Sequence, residues 1–261
     1  MHDPVTDEER AAEERRRHYE KWQWGGRLPS ARLRGIRGSN VLGLLTFDGD
    51  LVHALDAVGA EVQRSVALLA VRRACETAGL TAVPWVARAL TALAEGHPLP
   101  PPFDDEARMW ETLRSTPLAP GPSVRGAMPP ERSPYFPPTP AGWAWVPAAQ
   151  QDDDGSKQYE LGRLPGSPPP AVSDGKLSAA PTDIGHVRVA AALLTYPAST
   201  PYVPGEISQP HFALPAVLAA AEPTPLHAAL DAVWHALHTY GEHYPDLLEE
   251  IWSVCTERAG K

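Results

Sequence analysis

The stretch EVQRSVALLAVRRACETAGL, Glu61 to Leu80, decides how this 261-residue chain is read. It contains no proline, and no glycine until Gly79, and its apolar residues keep helical spacing. On a period of about 3.6 residues, Val58, Val62, Val66 and Leu69 form one stripe, and Leu68, Val71 and Cys75 form a second. A surface helix carries one apolar stripe, so two predict a helix enclosed on more than one side. The expectation is a central helix of a helical core, with Val66 and Leu69 buried against residues beyond position 213.

Working upstream, Leu51 and Leu55 continue the first stripe, with Gly59 as a kink. Val41 to Phe47 is an apolar run, strand or helix start, closed by Asp48-Gly49-Asp50. Downstream, Pro84 suits a first helical turn, Trp85 to Glu95 follows with Val86, Leu90 and Leu93 inward, and Gly96 suits the stop. After the stiff connector His97 to Pro102, Asp104 is expected to cap a helix that runs to Arg114.

The far end of the chain returns to helix. Leu214 to Ala221 is a short segment, and Thr224 is expected to cap the next helix, with Pro225 at its first position. Leu226, Leu230, Val233, Leu237 and Tyr240 make its inward stripe, Gly241 interrupts it, and a last helix starts near Pro245. The pentapeptide Ala-Leu-Asp-Ala-Val occurs at 54–58 and again at 229–233, which an Ala- and Leu-rich chain produces by chance.

Between these ends proline dominates. The chain has 30 prolines, against roughly 5% of residues in an average protein, and most fall in the middle. Each removes a backbone donor, which excludes helix from Thr116 to Pro140. Trp143-Ala-Trp145-Val and Gln158-Tyr159-Glu-Leu161-Gly-Arg163 alternate as strands around the turn Asp152 to Ser156, predicting a hairpin. Gly166 to Asp183 is composed as a loop, and Val187 to Tyr196 fits either strand or helix.

The fold class predicted is therefore mainly α: a helical bundle-like body with a Pro-rich middle excursion carrying a few short β-strands. Residues 1–40 form a charged N-terminal helix, Thr6 to Trp22, and a basic arm. Residues 41–261 form a single mainly helical domain, with helical parts at 41–115 and 213–257 and an irregular insertion at 116–212.

Charge and composition limit the function classes. A net charge of −9 disfavours a general polyanion binder, because nucleic-acid affinity depends on clustered cations. No apolar run approaches the ~18 residues a membrane-spanning helix needs, and the N-terminus lacks an apolar signal segment, so the expected location is cytoplasmic. Cys75 and Cys255 show no metal-ligand spacing and fit buried thiols.

Three groups of residues invite chemistry. His227, Asp231, His235 and His238 fall within about 80° of helical arc, on the side away from the Leu226 stripe. Histidine with carboxylate suits zinc or another first-row divalent metal, although the spacing matches no established motif. Arg27, Arg32, Arg34 and Arg37 make one basic segment without an acid, able to contact an anion or to lie against acidic parts of the chain. Tyr135, Phe136, Trp143 and Trp145 cluster in the Pro-rich middle, either as a partner-binding surface or as packing of the hairpin.

Other motifs are excluded. The acidic turn fails as a calcium loop, since using Gly155 as its glycine puts Leu161 where a bidentate Glu belongs. There is no phosphate-binding Gly-rich fingerprint and no nucleophile elbow. The leading expectation is a non-enzymatic cytoplasmic protein-binding or regulatory protein without a cofactor. The alternatives are a metal-dependent hydrolase on the His/Asp face, and anion or nucleic-acid contact through the basic segment.

Overall fold

The computed structural model describes residues 4–36, 39–118, 123–139, 141–148, 157–164, 194–196 and 205–259. The protein is mainly α-helical. In chain order the first helices are α1 (Pro4–Gln23), α2 (Ala31–Gly35), α3 (Ser39–Phe47), α4 (Gly49–Ala57), α5 (Ala60–Thr77), α6 (Pro84–Glu95) and α7 (Glu106–Ser115). Strands β1 (Ser123–Arg125), β2 (Trp143–Pro147), β3 (Lys157–Arg163), β4 (Leu194–Tyr196) and β5 (Glu206–Ser208) follow, then α8 (Gln209–Ala220), α9 (Pro225–Tyr240) and α10 (Tyr244–Ala259). Among the described residues, no helix is long and apolar enough to cross a membrane.

The chain divides into two compact units, Met1–Tyr19 with Ser133–Tyr202, and Glu20–Arg132 with Val203–Lys261. The larger unit holds one hydrophobic core to which both helical parts contribute, from Trp24 to Cys255. Helix α5 packs on α8, α9 and α10, which joins the Glu61–Leu80 stretch to the C-terminal helices as expected. Val66 is fully buried, while Leu69 is partly buried against the core.

The buried arc of α5 differs from the predicted pair of stripes. It comprises Gln63, Val66, Ala67, Ala70, Val71, Ala74 and Cys75. Three alanines carry it, because their short side chains let α8 and α9 approach closely. Leu68 and Leu69 flank it half-buried. Helix α9 is enclosed still further: Leu226, Ala228, Ala229, Leu230, Ala232, Val233, Ala236, Leu237 and Thr239 are all buried.

Caps set the helix boundaries. Asp48 caps α4 through Oδ1, accepting from Leu51 N at 2.9 Å, while its Oδ2 accepts from Trp252 Nε1 at 2.7 Å and ties α4 to α10. Gly59 separates α4 from α5, so it marks a break where a kink was predicted. Asp105, one residue after the expected Asp104, caps α7. Helix α8 begins at Gln209, five residues before the predicted start, with Pro210 in its first turn and Pro215 inside it.

Arg64 donates to Ala220 O, Glu222 O and Pro223 O at 3.3, 2.7 and 2.6 Å, satisfying carbonyls at the end of α8. Gly241 adopts φ +57°, and a Cβ there would lie 2.2 Å from Arg125 O. The close approach of β1 to this turn therefore requires glycine. Strand β1 pairs antiparallel with β5, a two-stranded ladder within the larger unit.

In the smaller unit, β2 and β3 form the predicted hairpin pairing and β4 adds a third antiparallel strand. Register pairs Trp145 with Leu161, Trp143 with Arg163 and Pro147 with Tyr159, which places these residues on one face of the sheet. The acidic turn Asp152–Ser156, the Gly166–Asp183 segment and residues 187–193 lie outside the described residues.

Candidate functional site

Helix α9 carries the histidine face, whose His227, Asp231, His235 and His238 lie away from the Leu226 stripe and are all half-buried. Gly43 of α3 stands opposite Trp234 so closely that an added Cβ would meet the indole at 2.3 Å. Helix α3 therefore covers part of this side of α9. His238 is held edge-on to Phe47 at 5.9 Å and to Trp234 at 4.2 Å, and stacks on Phe212 at 5.4 Å. Its Nε2 is buried without a hydrogen-bond partner.

Burial governs the protonation of this face. It pushes His235 down to about 4, helped by neighbouring His238. It also lowers His238. Both rings are neutral at physiological pH. Burial raises the Asp231 carboxyl, against the opposing pull of His227 and a hydrogen bond from Asn40 on α3. His227 Nε2 and Asp231 Oδ2 lie 3.0 Å apart, one helical turn from each other.

The structure thus brings His227 and Asp231 together and gives His238 an aromatic cage. Among the described residues, no three His, Cys, Asp or Glu side chains converge as metal ligands would. His53 Nε2 bonds Trp24 O at 2.8 Å, and His211 Nδ1 bonds Ser208 Oγ at 2.8 Å while stacking on Trp110. His186 lies outside the described residues.

The basic segment is laid against acidic neighbours. Arg27 pairs with Asp50, and Arg32 holds Asp56 through Nε at 3.1 Å and Nη2 at 3.0 Å. Arg34 forks onto Glu20 at 2.7 and 3.1 Å. Arg37 lies outside the described residues. Cys75 and Cys255 are buried free thiols, and burial with the nearby Glu76 charge pushes Cys75 up to about 12. A thiol so shifted is not a nucleophile near neutrality. Arg73, beside Cys75, forms ion pairs with Glu250 of α10 and with Glu76.

The aromatic group lies in the smaller unit. Phe136 stacks on Trp145 at 6.3 Å and meets Tyr159 edge-on at 4.8 Å, and Trp145 Nε1 donates to Pro137 O at 2.9 Å. Tyr135 packs edge-on to Tyr19 at 5.0 Å. Among the described residues, Trp143 engages no other ring. All four predicted residues, Tyr135, Phe136, Trp143 and Trp145, are half-buried.

Sequence pattern does not single out Asn40, whose short side chain matters only through the α3–α9 contact. Gln63 is a missed residue with a signal. It sits three residues before Val66, on the buried arc of α5, where a polar side chain needs partners; its amide donates to Leu55 O and Val58 O. No protein-family model, curated protein or solved structure matches this chain.

Proposed function

We propose that this is a non-enzymatic protein-binding or regulatory protein whose partner docks on the aromatic face of the β2–β3 sheet. One observation carries the reading. Among the described residues, every buried side chain belongs to the larger unit, and the smaller unit has none despite its Trp, Phe and Tyr residues. Aromatic side chains supply most of the energy of a core or an interface, and tryptophan and tyrosine are enriched at protein interfaces. Here their mutual contacts hold the sheet together while half of the rings' surroundings remain open. Trp143, which meets no other ring among the described residues, is the natural anchor for a partner.

Charge supports a protein partner over nucleic acid, since the chain carries −9 and its described Arg27, Arg32 and Arg34 are already paired. Two free buried thiols suit a reducing cytoplasm.

The test is a Trp143→Ala variant. Proteins cross-linked to the wild-type chain in cells are purified and titrated against both forms. Loss of an interface tryptophan weakens binding by roughly 30-fold or more when that residue is a hot spot. Equal affinity of both forms for every purified candidate, with unchanged circular dichroism, would reject this face as the docking surface.

A further inference from the structure

Within the larger unit, an open cleft of about 470 Å³ lies between α2 and the first turns of α5 and α9. Arg32, Ala60, Gln63, Thr224, Leu226 and His227 line it. A cleft of this size suits a small organic ligand.

Two helices start at its wall, and neither has a side-chain cap. Gly59 precedes α5 and has no side chain to offer, while Thr224, expected to cap α9, occupies its N-cap position without accepting a cap hydrogen bond. Pro225 has no N–H, and Ala228 N returns to Thr224 O, so the Leu226 and His227 amides have no acceptor within the helix. The acid in the first turn of α5, Glu61, lines a neighbouring groove and not this cleft. Arg32 is paired with Asp56, and His227 Nε2 lies 3.0 Å from Asp231 Oδ2, so the positive ends of the two helices and the Arg32 guanidinium are what the cleft offers an anion.

Helix ends alone do not make a site; Gln63 adds the independent observation. Its side chain is 2% exposed, and its amide group donates to Leu55 O at 2.8 Å and Val58 O at 3.1 Å. Its Oε1 accepts from no group among the described residues, and Gln63 lines the cleft. A buried amide oxygen in that position lacks only a donor from outside the chain. Arg32 Nη1 likewise has no protein acceptor.

We infer that this cleft binds a small organic anion, its carboxylate or phosphate held by the Leu226 and His227 amides with Arg32, and a hydroxyl of the same molecule donating to Gln63 Oε1. The site is independent of the aromatic face and of the protein-binding reading.

The experiment titrates the full chain with lactate, acetate, glycerol phosphate and inorganic phosphate at constant ionic strength, read by amide NMR shifts and calorimetry. Lactate or glycerol phosphate is expected to saturate, shifting Ala60, Leu226, His227 and the Gln63 side-chain amide, with acetate weaker by about tenfold for want of a donor. Thr224→Asp places a carboxylate on the end of α9 and is expected to reduce affinity at least tenfold without lowering the melting temperature. Arg32→Ala, at an exposed side chain, is expected to weaken binding as well. Absence of saturation by about 50 mM for every probe overturns the site. Saturation that survives both substitutions places the anion elsewhere and overturns it too. Acetate binding as tightly as lactate removes Gln63 from it.

Discussion

Acidification from pH 7 to pH 5 is expected to destabilise the larger unit through His235. Burial lowers this imidazole from the ordinary 6.5 to about 4. Its folded pKa lies below the unfolded one, so its contribution is fully present above 6.5 and is lost as pH falls toward 4. At pH 5 the unfolded ring is almost fully protonated while the folded ring holds about a tenth of a proton, a difference worth about 2 kcal/mol. His238, lowered by the same burial, acts in the same direction. Asp231 acts oppositely, because its raised carboxyl favours the folded state on protonation and softens the loss nearer pH 4. Urea unfolding followed by tryptophan fluorescence at the two pH values measures the effect. A His235→Gln variant, uncharged throughout, is expected to shrink the wild-type difference by about 2 kcal/mol. An unchanged difference in that variant, or an NMR titration of folded His235 near 6.5, would refute the assignment of His235 to a desolvated site.

Three further substitutions test the packing. Gly43→Ala gains about 1 kcal/mol of helix propensity, yet drives a methyl into Trp234, and the net expectation is a loss of about 1–2 kcal/mol that Trp234→Phe partly restores in a double-mutant cycle. Gly241→Ala strains a φ of +57° and meets the Arg125 carbonyl, so denaturant unfolding should register a loss of about 2–3 kcal/mol. Asp48→Ala removes the α4 cap and leaves Trp252 Nε1 without its acceptor; a loss of about 2 kcal/mol is expected, and less than half that would mean the two bonds are replaced by water.

Legibility followed how strongly single residues constrain the backbone. Helix α6 was readable to its ends because Pro84 and Gly96 act on the backbone themselves. The β2–β3 pairing was readable because Trp143, Trp145, Tyr159 and Leu161 keep a two-residue period beside turn-forming residues. Strands β1 and β5, three residues each, are too short to display any period, and the β1 ladder depends on Gly241, far along the chain. The early start of α8 was hidden by Pro210 and Pro215, which punctuate a sequence even where a buried helix absorbs them.

The histidine face was legible only in part. The arc of His227, Asp231, His235 and His238 was placed correctly opposite the buried Leu226, Leu230, Val233 and Leu237, but the partial cover that α3 lays over it was not foreseen. Alanines count for little in an apolar stripe, yet Ala228, Ala229, Ala232 and Ala236 are all buried, so the buried side of α9 is wider than the stripe and leaves His227, Asp231, Trp234, His235 and His238 as its half-buried arc. Gly43 makes the point from the facing helix, since its missing side chain is what admits Trp234.

The repeated pentapeptide shows how little five residues settle without their neighbours. Leu55 and Leu230 occupy equivalent places in Ala-Leu-Asp-Ala-Val, and both are fully buried. The second copy continues through Val233 into the middle of α9, whereas Val58 leaves the helix at φ −82°, ψ 161°, because Gly59 follows it. The aspartates share a task despite this difference. Asp56 fixes Arg32 and Asp231 lies 3.0 Å from His227, and Arg32 and His227 stand on the wall of the same cleft. An equal substitution therefore discriminates: Asp56→Asn frees the Arg32 guanidinium for an incoming anion, while Asp231→Asn releases His227. If the cleft holds an anion as inferred, either change strengthens its binding. A weakened anion in both variants would mean that the carboxylates position their partners more than they neutralise them.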